Sequence, residues 1–152
     1  MLPTMPPLVI TPFALAQRFI GIAEVPGSAA NPQILAMLKL DGDWPQDDAV
    51  PWCSAFVNYI CWLLRLPRSK SLRARSWLLV GTPITAPEPG FDVVILNRGG
   101  PQDPAVIEAP GHVGFFAGWE GSNVLLVGGN QGDRVSLSRY PTTQVLGLRR
   151  IR

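Results

Sequence analysis

The chain has 152 residues, of which 47% are apolar and 16% charged, and its formal net charge is +2. This composition is typical of a compact globular protein and excludes a disordered chain. The charge is too small for a nucleic-acid-binding surface, so no nucleic acid is expected as a partner. No apolar run reaches the ~18 residues that span a bilayer. We expect one domain over residues 1–152, with residues 1–10 as a loose N-terminal segment.

The N-terminal segment does not resemble a secretory signal. It has no basic start and is interrupted by Pro3, Pro6 and Pro7. The sequence therefore predicts synthesis in the cytoplasm. A substrate outside the cell would then require a delivery or release system.

Helices are predicted in the first half of the chain and strands in the second. Prolines and capping residues start the helices, and one apolar stripe marks the third. The predicted helices run from Pro12, after the cap Thr11, to about Ile22, from Gln33 to Leu40, from Pro51 through Leu64, and from the cap Ser71 to Leu79. The predicted strands are Asp92–Leu96, His112–Ala117, Asn123–Val127, Val135–Leu137 and Val145–Ile151. Helices followed by strands indicate an α+β protein with an antiparallel sheet.

The two cysteines, Cys53 and Cys61, are predicted to be free thiols. They are separated along one helix by about 12 Å, which is beyond disulfide geometry. Two cysteines and one histidine do not make a convincing zinc site either. Cys53 lies in the first turn of its helix, where the helix dipole favours the nucleophilic thiolate. It is a candidate nucleophile or a small buried residue, whereas Cys61 is expected to be structural.

His112 is the only histidine in the chain, so it is the only imidazole that could act as a base for Cys53. A turn centred on Gly121 would pair two strands so that Asn130 lies opposite His112. Asn130 could then orient the imidazole, or it could merely shape its own turn. Glu108 and Asp133 are alternative orienting residues, and one bulge between the strands would undo the register.

Three other side chains are open to interpretation. Arg73 and Arg75 are expected to form a solvated face of the fourth helix. Trp52 could line a groove beside Cys53 or belong to the core.

Several ordered motifs resemble those of a bacterial and phage family related to the CHAP and NlpC/P60 cysteine peptidases. The similarity covers roughly residues 13–151. The nucleophile motif is Trp52–Asn58, and the other similar segments are Ile20–Gly27, Ala74–Leu78, Pro89–Val94, Gly111–Phe115 and Gly128–Gln131. In one departure, Phe91 stands between Gly90 and Asp92, which are directly adjacent in relatives.

The resemblance implies a papain-like fold, with the cysteine helix packed on the antiparallel sheet that carries the histidine. It implies a cysteine hydrolase of peptidoglycan with catalytic Cys53, His112 and Asn130. The enzyme would be a stem-peptide endopeptidase or an N-acetylmuramoyl-L-alanine amidase. We expect a monomer without cofactor or metal, for example an endolysin or a delivered toxin with an immunity protein. The alternatives are a non-catalytic wall-binding or phage structural module and an enzyme acting on proteins.

Overall fold

The computed structural model describes residues 1–25, 31–42 and 51–152. Residues 43–50, which lie between the second and third predicted helices, are outside this description. In the described ranges, three helices and a 3₁₀ segment come first. They are α1 (Pro12–Gln17), α2 (Pro32–Leu38), α3 (Cys53–Leu63) and the 3₁₀ segment Ala74–Leu79. Within the described residues, no helix is long and apolar enough to cross a bilayer.

Helix α1 begins where the sequence predicts but ends earlier. The Thr11 hydroxyl accepts a 3.1 Å hydrogen bond from the Ala14 N–H, which caps the first turn. The predicted end at Ile22 is wrong, because the chain turns at Gly21, where φ is 103°. The Gly21 N–H then donates to the carbonyl of Val135 at 2.9 Å. The backbone here therefore pairs with Val135, which is distant in the sequence, instead of continuing the helix.

A six-stranded antiparallel sheet forms the second half of the chain, which confirms the α+β class. Its strands are β1 (Thr82–Pro83), β2 (Asp92–Asn97), β3 (Gly111–Glu120), β4 (Asn123–Gly128), β5 (Ser136–Pro141) and β6 (Val145–Arg150). The strand order is β1-β6-β2-β3-β4-β5, which puts β2 and β3 in the centre. Strand β1 lies between Leu79 and Asp92, where no strand is predicted, and a second 3₁₀ segment, Thr142–Gln144, joins β5 to β6.

Helix α3 packs against β3, and the main core lies between them. Phe56 of α3 meets Phe115 of β3 edge to face, with ring centroids 6.2 Å apart. Leu96, Phe116 and Leu126 form a second apolar cluster. Side chains from alternate positions of the central strands therefore enter both clusters, as expected for strands buried on two faces.

Arg75 is fully buried, so its predicted place on a solvated face is wrong. Its guanidinium donates all five of its hydrogen bonds at 2.8–3.2 Å. The acceptors are the carbonyls of Pro110, Asp103, Val106 and Pro101 and the side-chain oxygen of Asn97. All lie between the end of β2 and the start of β3, so Arg75 fixes the loop that leads to His112. Its neighbour Arg73 is exposed, as predicted.

We predict that Arg75→Lys lowers the free energy of unfolding by about 2–4 kcal/mol. Lysine keeps the charge but donates from a single nitrogen, so some of the buried carbonyls lose their donor. Urea unfolding measures the change. Arg73→Lys is the matched control, because its guanidinium makes one 3.3 Å bond to the Glu108 carbonyl at an exposed position. Equal stability losses in the two variants would contradict this role of Arg75.

Candidate active site

Cys53 is the first residue of α3 and is only 1% exposed. The backbone N–H groups of Val113, Ser54 and Cys53 favour its thiolate, since each of them lowers the pKa of the thiol. Val113 directly follows His112 in β3, so the N-terminus of α3 and the start of β3 converge on the sulfur. The structure thus brings the elements carrying the two predicted catalytic residues together.

His112 lies near the start of β3 and is 4% exposed. Its Nε2 is 2.9 Å from the side-chain oxygen of Gln131. The Tyr140 hydroxyl lies 3.3 Å from the same nitrogen, and the centroids of the two rings are 5.1 Å apart. Gln131 and Tyr140 are therefore the side chains that hold the imidazole.

The orientation of the Gln131 amide determines which imidazole nitrogen carries the proton. Its Nε2 donates to the carbonyls of Leu126, at 3.2 Å, and Ser136, at 2.6 Å. Only an NH₂ group can donate to two carbonyls, so the amide oxygen faces His112. An oxygen acceptor requires a proton on His112 Nε2. The other nitrogen, Nδ1, then keeps its lone pair.

Asn130 lies in the same cavity as His112, but the hydrogen bond predicted for it is made by the next residue, Gln131. The predicted register holds at Phe115, which pairs with Val127. The turn is centred between Gly121 and Ser122 rather than on Gly121, and a bulge near Ala117 cancels this shift. Asn130 lies beyond this ladder in a left-handed conformation, with φ of 57°. This turn, which the pairing pattern does not predict, directs Gln131 towards the histidine.

The two glycines before Asn130 make room for the site. A Cβ atom at Gly128 would lie 2.6 Å from the Gln131 side-chain oxygen, the atom that contacts His112. A Cβ atom at Gly129 would lie 2.7 Å from both the Trp52 ring and Phe56. Gly128 therefore allows Gln131 to reach the histidine, and Gly129 allows α3 to approach the sheet closely.

Burial keeps both candidate catalytic groups neutral. It raises the pKa of the Cys53 thiol, and the surrounding N–H groups and Arg98 only partly offset this effect. Burial also lowers the pKa of His112 to about 4, against the hydrogen bond that the ring donates to the Gln131 oxygen, which raises it. The sequence predicted a low thiol pKa from the helix dipole, and the structure gives the opposite direction because desolvation outweighs the dipole.

The remaining predicted side chains lie away from the imidazole. Among the described residues, neither Glu108 nor Asp133 hydrogen-bonds to His112, so neither orients it in this structure. Trp52 is buried, and its indole N–H donates to Glu24 at 2.6 Å, which favours the interpretation as a core residue. No group of metal-ligating side chains occurs in the described ranges. Tyr140 was missed by the sequence analysis, since no spacing connects it with His112.

We predict that His112 titrates well below its ordinary pKa of 6.5, at about 4, because burial disfavours the imidazolium. The unfolded chain binds this proton at higher pH than the folded chain. The free energy of unfolding should therefore fall as pH falls from 6.5 towards 4. The single histidine gives one imidazole resonance, whose chemical shift against pH measures the pKa. A midpoint near 6.5 would contradict the burial of this ring.

No protein-family model matches the chain, and no curated protein matches it. The functional assignment therefore depends on the geometry around Cys53 and His112 and on the ordered motifs in the sequence.

Proposed function

We propose that this chain is a cysteine hydrolase that cleaves an amide bond in peptidoglycan, with Cys53 as nucleophile, His112 as base and Gln131 as the orienting residue. The observation that carries the proposal is the 2.9 Å contact between His112 Nε2 and the fixed Gln131 amide oxygen. A nucleophile, a base and a group that holds the base in one tautomer are the parts of a catalytic triad. In this proposal Asn130 lines the cavity and does not orient His112.

The chemistry starts from the neutral pair. His112 Nδ1 takes the proton from the Cys53 thiol as the sulfur attacks the scissile carbonyl. Backbone N–H groups at the start of α3 stabilise the oxyanion. The imidazolium then protonates the leaving amine, and water hydrolyses the thioester to release the acid and the free thiol. None of these steps uses a metal or an organic cofactor.

The substrate class is proposed from the motif resemblance. The cysteine motif, the histidine strand and the Gly-Gly-Asn-Gln turn occur in the order that the CHAP and NlpC/P60-related peptidases share. A cysteine helix packed against the sheet that carries the histidine is also consistent with a papain-like fold. Because fold and triad alone are compatible with other amide substrates, the wall substrate is the part of the proposal that needs its own test.

Digestion of purified peptidoglycan tests the proposal. The wild type and Cys61→Ala should release fragments, whereas Cys53→Ala should release none. Cys61 is the matched control, because it is a second buried cysteine of α3 that lies two turns from the proposed nucleophile. Mass spectrometry of the fragments identifies the bond that is cleaved. No release by folded, reduced wild type would favour the non-catalytic wall-binding or phage structural module.

A second prediction separates Gln131 from Asn130. Gln131→Ala should lower kcat by about 10–100-fold with little change in KM, because it loses the bond that selects the tautomer. Asn130→Ala should retain a kcat within a few-fold of wild type. Gln131→Glu keeps the oxygen acceptor but loses the NH₂ that donates to the carbonyls of Leu126 and Ser136, so we expect it to recover only part of the lost kcat. A larger kcat loss in Asn130→Ala than in Gln131→Ala would restore Asn130 as the orienting residue.

The pH dependence of kcat/KM should be a broad bell. Activity requires one proton shared by Cys53 and His112, so it falls at acid pH when His112 is protonated and at alkaline pH when this proton is lost. Burial lowers the pKa of His112 to about 4 and raises that of Cys53 above its ordinary 9, which widens the plateau on both sides. A narrow optimum centred near pH 6 would indicate a preformed ion pair instead.

A further inference from the structure

Arg98 lies at the edge of the candidate active site. It follows β2, its side chain is exposed, and it lines a cavity of about 210 Å³ together with His112, Gln131 and Tyr140. Among the described residues that line this cavity, Arg98 is the only one with a charged side chain. The cavity therefore has a cationic wall next to the proposed base.

Among the described residues, no acidic side chain forms an ion pair with this cation. In the part of the chain that the structure describes, the ion pairs involve Arg68, Arg139 and Arg150, and none involves Arg98. Its positive charge lowers the pKa of Cys53, His112 and Tyr140 alike. The charge thus acts at the proposed nucleophile and at the groups that surround it.

The backbone that carries Arg98 is firmly held. The Asn97 side-chain oxygen accepts hydrogen bonds from Arg75 at 2.8 Å and from the Gly100 N–H at 3.0 Å. The Arg98 N–H itself donates to the Pro110 carbonyl at 3.3 Å. These contacts fix the position of the Arg98 backbone relative to the start of β3 and therefore relative to the candidate site.

We propose that Arg98 is a specificity residue that binds a free carboxylate on the substrate beside the scissile amide. Guanidinium groups pair with carboxylates through charge-assisted hydrogen bonds, and no carboxylate of the described residues forms an ion pair with Arg98. The choice of peptidoglycan as the substrate rests on the proposed function. In peptidoglycan, the matching groups are the free carboxylates next to amide bonds of the stem peptide. Stems in which these groups are amidated should be poorer substrates.

The first test needs no peptidoglycan. Iodoacetate and iodoacetamide alkylate a thiol by the same displacement of iodide, but only iodoacetate carries a carboxylate. The ratio of their rates at Cys53, followed by peptide mass spectrometry, reports attraction of an anion to the sulfur and cancels changes in thiol pKa. We expect this ratio to fall by about 3–10-fold in Arg98→Gln, and to fall with added salt in the wild type. Arg98→Lys should keep most of the preference.

The control is Arg139→Gln, which removes the same charge from an exposed residue outside this cavity, and its ratio should equal that of the wild type. Equal ratios in the wild type and Arg98→Gln would overturn the proposal. Failure of both reagents to reach Cys53 would also overturn it, since a small carboxylate would then have no path to the site.

A second test uses paired synthetic stem peptides that carry either a free carboxylate or a carboxamide beside the scissile bond. The wild type should cleave the carboxylate form with the higher kcat/KM, and Arg98→Gln should lose this preference. Cleavage of both forms without preference overturns the Arg98 proposal and leaves the hydrolase proposal intact. Cleavage of neither form, with a normal alkylation preference, counts against the wall substrate alone and supports Arg98 as a carboxylate site.

Discussion

The hydrogen bond between His112 and Gln131 is the interaction on which the candidate site depends. The Gln131 amide is held by two strand carbonyls, those of Leu126 and Ser136, and can therefore present only its oxygen to the imidazole. A fixed acceptor at Nε2 leaves Nδ1 unprotonated, which is the state that a general base requires. Gly128 provides the space for this contact, because a side chain at this position would overlap the Gln131 oxygen.

Burial sets the electrostatics of this site. Cys53 and His112 lie almost entirely out of solvent, and their pKa values move apart in the directions that keep both neutral. In the proposed mechanism, the proton is therefore transferred within the pair during attack, rather than by ionisation in advance. Among the described residues that line this cavity, Arg98 carries the one charged side chain, and its positive charge favours an anion on the sulfur.

Local signals predicted much of this arrangement from the sequence. Thr11 caps α1 as expected, Cys53 lies in the first turn of α3, and the single histidine lies near the start of a central strand. The identity of the orienting residue could not be predicted, because it depends on the left-handed turn at Asn130, which lies beyond the paired residues of β4. The burial of Arg75 was missed for a similar reason, since its hydrogen-bond acceptors are carbonyls of a loop that becomes adjacent only when the sheet forms.

The tautomer of His112 tests the central claim most directly. Nitrogen-15 NMR of the folded protein at neutral pH distinguishes a protonated imidazole nitrogen from an unprotonated one, and the single histidine makes the assignment unambiguous. The account predicts a neutral ring with the proton on Nε2 and a lone pair on Nδ1, and a loss of this preference in Gln131→Ala. A proton on Nδ1, or an imidazolium at neutral pH, would contradict it.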